Sequence, residues 1–301
     1  MTAIVHILAG PTASGKSALA VQKAIENEGV IINADALQIY DELPILTAQP
    51  PAEDKARAPH RLYGILPSSD LCSATQWVDL AIAEIEKAFA EGLTPIIVGG
   101  TGFYIKALME GLSIVPEIPP EIRQALNQKQ AEMGNPAFHE AFSRHDPVMA
   151  ARLHPNDTQR LIRAWEVWEA TGESLATWQS QQPKPPRPDW RFDITVLEPE
   201  RTILYQRCNQ RFLNMMESGI IEEVESLSQK IADGQAPEKG GITQALGFIP
   251  LRSWMQGEIS KDDAIIQSQT DTRQYAKRQV TWLRNQIKPA DNIVNITRLT
   301  L

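Results

Sequence analysis

Residues 4–17 read IVHILAGPTASGKS, a short apolar run that ends in a glycine-rich loop and opens into the helix-compatible stretch KSALAVQKAIENEG. Gly10, Gly15, Lys16 and Ser17 satisfy the GxxxxGK[ST] spacing between a strand and a helix, the context in which this motif wraps a phosphate. Glycine tolerates φ > 0 and puts no side chain in an anion's way. Backbone N–H groups and the helix N-terminus add a concave positive field. Lys16 contributes a mobile cation, and the Ser17 hydroxyl is placed to ligate Mg²⁺. The expected phosphate-binding residues are therefore Gly10, Pro11, Thr12, Ala13, Ser14, Gly15, Lys16 and Ser17. The loop leaves the bound compound open. A nucleotide kinase, an ATPase and a transferase that takes some other diphosphate all begin this way.

Outward from this loop the first hundred residues alternate strand and helix signals. VIINAD (30–35) and TPIIVGGTG (94–102) read as further buried strands. SATQWVDLAIAEIEKAFAEG reads as a long helix capped by Ser73 and stopped by Gly92, with Trp77, Ala81, Ile85 and Phe89 on one face. Alternating strands and helices imply right-handed crossovers and a parallel sheet. From about Val115 the pattern becomes helical only: VPEIPPEIRQALNQKQAEMG starts with prolines and then reads as a helix, and NPAFHEAF, DPVMAARL and NDTQRLIRAWEVWEATG continue as short helices, with Pro147 near a start and Gly172 at an end. FDITVL (192–197) restores a strand after the stiff connector PKPPRPDW. The expected fold is an α/β P-loop core, a parallel sheet flanked by helices, formed by residues 1–114 and 189–301. An all-helical insertion domain is expected over 115–188. The remainder reads as mainly helical, ending in the basic helix TRQYAKRQVTWLRNQIK.

A chain of 301 residues, 43% apolar and 22% charged, is long enough to bury a sizeable core. It has no apolar run of the roughly 18 residues that a membrane span needs, so no membrane partner is expected. The N-terminus reads as a first strand and not as a signal peptide. Two distant cysteines, Cys72 and Cys208, cannot make a four-thiolate zinc site, and a reducing cytoplasm is the simplest setting. A net charge of −8 disfavours general nucleic-acid affinity, but a local basic surface would override that average.

Two features bear on the chemistry. The strand PIIV ends in Gly99-Gly100-Thr101-Gly102, where a P-loop ATPase usually ends a strand in an acid. Those glycines serve either close approach of a ligand or a tight turn. Asp35, in INADALQIY, should face the phosphate site, because strand carboxyl ends form the crevice of a parallel sheet. Position alone leaves it as helix cap, a group that orients a metal's ligands, or general base.

GPTASGKS, INADALQIY, LTAQP, VGGTGFYIKAL, HPNDTQRLIRAWEV and TRQYAKRQVTWLR together, and in this order, resemble the motifs of bacterial tRNA dimethylallyltransferases, also called tRNA isopentenyltransferases. The resemblance covers about residues 4–286. It implies transfer of a dimethylallyl group from dimethylallyl diphosphate to N6 of the adenosine 3′ of the anticodon, in tRNAs reading codons that begin with U. The phosphate loop would hold the diphosphate of the donor, with Mg²⁺ as cofactor at Ser17. Thr12 and Arg211 match positions that contact the diphosphate. Asp35 matches the acid that orients the attacking amine and takes up its proton, and Thr101 stands beside it in the catalytic set. Tyr40, Phe103 and Tyr104 are candidates for the prenyl pocket.

For the tRNA anticodon arm the resemblance implies contacts from Asp35, Ala36, Leu37, Gln38 and Thr101 near the target base. Arg123, Gln159, Arg160, Leu161, Ile162 and Arg163 would contact it in an insertion covering the anticodon loop. Gln244 and Gly247 in GITQALGF would add to these, with Arg273, Lys277 and Arg278 on the basic last helix, where Arg284 also falls. A monomer fits a fold that wraps an RNA arm. Three positions depart from the pattern: Ala36 replaces a usual Ser, Leu46 and Gln49 replace the Gly and Lys of GTAKP, and Phe248 replaces a usual Tyr.

Overall fold

The computed structural model describes residues 3–113, 115–181 and 183–300. It comprises strands β1 (Ala3–Ala9), β2 (Gly29–Asn33), β3 (His60–Arg61), β4 (Thr94–Gly99), β5 (Trp190–Leu197) and β6 (Ile293–Leu299). The helices are α1 (Lys16–Glu26), α2 (Ala52–Arg57), α3 (Ala74–Ala90), α4 (Gly102–Glu110), α5 (Pro120–Ser143) and α6 (Pro147–Ala150). They continue with α7 (Thr158–Thr171), α8 (Leu175–Ser180), α9 (Arg201–Met216), α10 (Ile220–Ala232), α11 (Phe248–Met255) and α12 (Lys261–Gln286). The chain divides into two compact units, Met1–Met109 with Pro185–Leu301, and Glu110–Lys184. Among the described residues no helix is long and apolar enough to cross a membrane.

The first unit is built on one six-stranded sheet in the order β3-β2-β4-β1-β5-β6, with every pairing parallel. The alternation of strand and helix signals predicted this parallel arrangement. Crossovers run from β1 toward β2 and β3 on one side and toward β5 and β6 on the other. The loop after β1 therefore opens where the strand order reverses, the position at which parallel sheets bind ligands. β2 is buried at all five residues, as a strand covered on both faces must be. Helix α3 begins as its sequence implies: the Ser73 side chain accepts from the Gln76 amide, and Trp77, Ala81 and Ile85 are buried.

Two strands escape the apolar pattern. β3 has only two residues. β6, IVNITRL, is an edge strand with no buried residue, so its sequence carries little hydrophobic contrast. Pairing holds it in place: Ile296 lies opposite Ile194, and the Glu198 amide donates to the Leu299 carbonyl. The last helix is also longer than its basic stretch suggests, starting at Lys261 under a Ser260 cap and not at Thr272. Its buried stripe is Ala264, Ser268, Thr272, Ala276, Gln279 and Leu283, mostly small or polar residues that a search for apolar periodicity passes over. The Ser268 and Thr272 hydroxyls donate back to the Ala264 and Ser268 carbonyls, so burial leaves neither unpaired.

The helical unit has its own core, with Phe138 and Phe142 packed on Trp165 and Leu161 alongside. The sequence break before Asn135 is a kink: Gly134 adopts φ 72°, ψ 164° inside α5, and Pro136 follows. Gly172 ends α7 in the left-handed conformation.

The glycines that end β4 and follow it answer to the protein itself. A Cβ on Gly99 would lie 2.1 Å from the Ala34 carbonyl oxygen, on Gly100 2.2 Å from Gln279 Nε2, and on Gly102 2.1 Å from the Trp282 ring. These are close approaches between elements, with backbone on one side, so neighbours cannot yield cheaply. Gly99→Ala is expected to destabilise the protein by about 3 kcal/mol or more, measured by urea unfolding. Gly92→Ala, with open space around its Cβ but φ 73°, should cost about 1 kcal/mol.

Candidate active site

The phosphate loop leaves β1 at Gly10, whose amide donates to the Gly99 carbonyl at 3.3 Å. It turns through Ala13 (φ 61°) and Gly15 (φ 88°) into α1. No side-chain cap satisfies the first amides of α1, so they face the loop's concavity. Ser17 is exposed in the first turn of α1, and Lys16 Nζ donates to the Pro11 carbonyl at 3.4 Å. Burial lowers the Lys16 pKa to about 8; Arg211 lowers it further, and Asp35 opposes the shift. Burial likewise pulls Arg211 below its ordinary value, against the pull of Cys208 and Asp35.

Thr12 is the most connected residue of the loop. Its Oγ1 accepts from Arg211 Nη2 at 2.5 Å, and its amide donates to Gln279 Oε1 at 2.8 Å. Gln279 in turn donates to the Gly100 carbonyl at 2.9 Å, which bridges the phosphate loop to the turn after β4. Asp35 stands just past β2. Its amide donates to Asn33 Oδ1 at 2.8 Å, and its own Oδ1 accepts from the Leu37 amide at 3.0 Å. Thr101 Oγ1 accepts from the Ala36 amide at 3.0 Å. Tyr275, on α12, hydrogen-bonds Thr101 and Gln279, and burial raises its pKa to about 12.

Two spaces meet at these residues. One is an open cleft over the phosphate loop, lined by residues 12–18 with Asp35, Gln38, Thr47, Gln49, Arg207 and Arg211. The other is a narrower cavity that shares Thr12, Asp35, Thr47 and Arg211 but is walled by Leu37, Leu46, Phe212, Met215 and Leu246, with Cys208 and Tyr275. The arrangement is thus a cationic, N–H-rich anion cradle joined to a mixed chamber, apolar along Leu37, Leu46, Phe212, Met215 and Leu246 and polar at Thr12, Thr47, Thr272 and Tyr275, with one carboxylate at the junction. The Gln38 amide donates to the Thr47 and Ala48 carbonyls, both at 2.8 Å, and so supports the loop that carries Leu46. Gln49, where Lys is usual, donates to the Tyr40 carbonyl at 2.7 Å.

The aromatic candidates for the apolar pocket lie elsewhere. Tyr40 and Tyr104 are buried around Cys72, Tyr40 Oη accepting from the Cys72 amide and Tyr104 stacking on Trp77 at 4.7 Å. Phe103 is exposed. Phe212 and Met215 take their place. The signal for them was present: Cys208, Arg211, Phe212 and Met215 recur at i, i+3, i+4 and i+7 and share one face of α9. Gln279 and Tyr275 had no such signal, because a glutamine and a tyrosine in a basic helix read as solvated.

The expected RNA contacts also separate. Lys277 and Arg278 are exposed and line an outer groove on α12 with Trp282. Arg273 is tied to Asn209 and Thr270 at 2.6 and 2.9 Å, and Arg284 lies 3.6 Å from Glu198. Gln244 is exposed, whereas Gly247 is buried, with Phe212 and Leu46 where a Cβ would go. In the helical unit Gln159 and Arg160 are exposed, but Leu161 and Ile162 are core side chains, 0% and 7% exposed, so amphipathic packing claims them. Arg123 and Arg163 converge on Glu166, which is 1% exposed, at 3.0 and 2.5 Å. Arg160 is 77% exposed, 4.0 Å from Asp157.

A phosphate-loop motif at the switch point of a parallel sheet, beside a second cavity that shares Asp35 with it, defines the class: a P-loop α/β protein. Residues 38–286 match the model of the IPP transferase family. The chain is 49% identical over 93% of its length to the tRNA dimethylallyltransferase of Paramagnetospirillum magneticum, covering 88% of that protein, and 46% identical over 95% to that of Rhodospirillum centenum, covering 90%. Among solved structures it superposes on the tRNA isopentenylpyrophosphate transferase of Bacillus halodurans with a TM-score of 0.68 at 30% identity, over 100% of this chain and 91% of that one. On a eukaryotic dimethylallyltransferase acting on tRNA the TM-score is 0.75 at 28% identity, over 93% and 70%. The chain belongs to the IPP transferase family, whose relatives named here are tRNA dimethylallyltransferases.

Two outcomes are expected from this geometry. Lys16 carries its charge below about pH 8 and loses it above. The advantage of wild type over Lys16→Ala in affinity for inorganic pyrophosphate should therefore be full near pH 7 and shrink as pH rises through about 8, read by calorimetry on both proteins, a comparison in which pyrophosphate's own ionisation cancels. Arg163→Ala leaves a buried carboxylate short of a partner and should cost roughly 2–3 kcal/mol of stability, whereas Arg160→Ala should cost under about 0.5 kcal/mol. Comparable losses in thermal unfolding would remove the distinction between the two arginines.

Proposed function

We propose that this chain transfers the dimethylallyl group of dimethylallyl diphosphate to N6 of the adenosine 3′ of the anticodon, in tRNAs reading codons that begin with U. The observation that carries this reading is the position of Asp35, shared by the anion cradle and the chamber. The donor's diphosphate lies over Gly10–Ser17 and its five-carbon chain enters the chamber walled by Leu46, Phe212, Met215 and Leu246. The adenine amine approaches from the Asp35 side.

The reaction breaks the bond between the allylic carbon and the diphosphate oxygen and forms a bond from that carbon to N6. Charge develops on the departing oxygen, where loop amides, Lys16, Arg211 and the Thr12 hydroxyl converge. Arg211 suits this role because a guanidinium fork binds two phosphate oxygens at once. An aromatic amine is a poor nucleophile, and Asp35 orients it and receives its proton as the new bond forms. Thr101 and the Leu37 amide hold the turn that carries Asp35.

Mg²⁺ would neutralise charge on the diphosphate. Ser17 offers it a hydroxyl in the first turn of α1, and an ion held chiefly by substrate phosphates and water suits a site with one nearby carboxylate. On the RNA side Arg160, Gln159, Lys277, Arg278 and Gln244 present exposed groups for the anticodon arm, and unpaired loop bases cost only a few kcal/mol to extrude. A monomer in the cytoplasm fits this activity.

The decisive assay incubates protein, unmodified tRNA, Mg²⁺ and dimethylallyl diphosphate, then weighs the nucleosides of the digested tRNA. A prenylated adenosine is expected with this donor and not with ATP in its place. Consumption of ATP without prenylation would point instead to a kinase. Asp35→Asn should retain tRNA affinity and lose about 10²–10⁴-fold in kcat; wild-type turnover would remove the role assigned to Asp35.

A further inference from the structure

The loop over residues 41–51 places Leu46 in the chamber and Thr47 in both spaces. It is not self-supporting. Leu43 and Ala48 have φ of 57° and 58°, a conformation that residues with a Cβ adopt only when their surroundings impose it. Gln38 supports the loop from one side through the Thr47 and Ala48 carbonyls. From the other side the support is a carboxylate on α10. Glu223 Oε1 accepts from the Ile45 amide at 2.7 Å and Oε2 from the Leu46 amide at 3.0 Å. Lys230, two turns further along α10, donates to Glu42 at 2.8 Å.

We infer that Glu223 is a positioning residue for the prenyl donor: by gripping two successive amides it sets where Leu46 stands and so how long a chain the chamber accepts. This inference rests on the donor site proposed above. A carboxylate that accepts from two adjacent amides makes two charge-assisted bonds from one side chain, a stiffer hold than one hydroxyl or amide gives. It is satisfied locally, since both amides lie in the same turn of the loop. Leu46 then packs toward Phe212 and Gly247, where a Cβ on Gly247 would meet Leu46 Cδ1 at 3.1 Å. The wall is therefore tight on its far side and adjustable only through the loop that Glu223 holds.

The test compares wild type, Glu223→Gln and Glu223→Ala with dimethylallyl and geranyl diphosphates. In Glu223→Gln one acceptor remains and a side-chain N–H meets a backbone N–H. Glu223→Ala should raise KM for dimethylallyl diphosphate roughly tenfold and reduce discrimination against geranyl diphosphate, with tRNA KM changed less than about twofold. Glu223→Gln should fall between, and amide hydrogen exchange at Ile45 and Leu46 should quicken in both variants. Wild-type donor KM and chain-length discrimination in the variants would overturn the inference, even if their melting temperature drops. Should Glu223→Ala fail to fold, Glu223→Gln decides by the same criteria. A wild type that makes no prenylated tRNA overturns the proposed function itself; an active wild type with unaffected variants overturns the positioning role alone.

Discussion

The side-chain amide of Gln279 holds the site together. One end accepts from the Thr12 amide and the other donates to the Gly100 carbonyl, so α12 fastens the phosphate loop to the turn after β4. Almost nothing else can occupy that place. Gly100 has no Cβ because Gln279 Nε2 stands where it would be, and Gly102 makes the same allowance for Trp282. The stripe of Ala, Ser and Thr that precedes Gln279 on α12 lets the helix come close enough to reach. A buried amide with both ends paired is worth its desolvation, and one with an end unpaired would not be. The geometry of the anion cradle therefore depends on a helix more than two hundred and fifty residues along the chain from it.

Burial of cations is the second constraint. Lys16 and Arg211 are partly withdrawn from water, and burial pulls down the pKa of each. A site in this condition holds positive charge at a cost, which an arriving anion would relieve. Asp35 is the one nearby carboxylate that opposes the shift in both groups, and its own Oδ1 is occupied by a backbone amide that fixes its direction. The same residue thus balances the cations and stands where the open cleft and the narrower cavity meet.

Charge on the helical unit follows a different rule. A buried Glu166 gathers Arg123 and Arg163, so two of its cations are anchored to the fold at their base, while Arg160 projects from the same helix into water. Spacing of three along a helix puts Arg160 and Arg163 near one face but does not give them one job. In a chain of net charge −8 such local order, and not the total, decides where an anion can settle.

Much of this was legible in the residues alone. The phosphate loop announces itself because its function needs small residues and a cation at set intervals, and the parallel sheet follows from alternating strand and helix signals. The Gly134 break and the Ser73 cap are equally local. Composition changes at 115 and 188, whereas the compact units divide at 110 and 184, because packing and not composition sets those limits. What only tertiary structure decided are long-range pairings. The β6 edge strand forms because β5 offers it hydrogen bonds, not because its sequence insists. The glycines that end β4 and follow it could have served a ligand or a turn, and they serve Ala34, Gln279 and Trp282. Tyr40 and Tyr104 pack around Cys72 while Phe212 and Met215 wall the chamber, and Glu223 reaches a loop 177 and 178 residues earlier in the chain. Local physics is written in spacing along the chain. Contacts between distant segments are chosen by shape and by the pairing of most buried polar groups, which no spacing records.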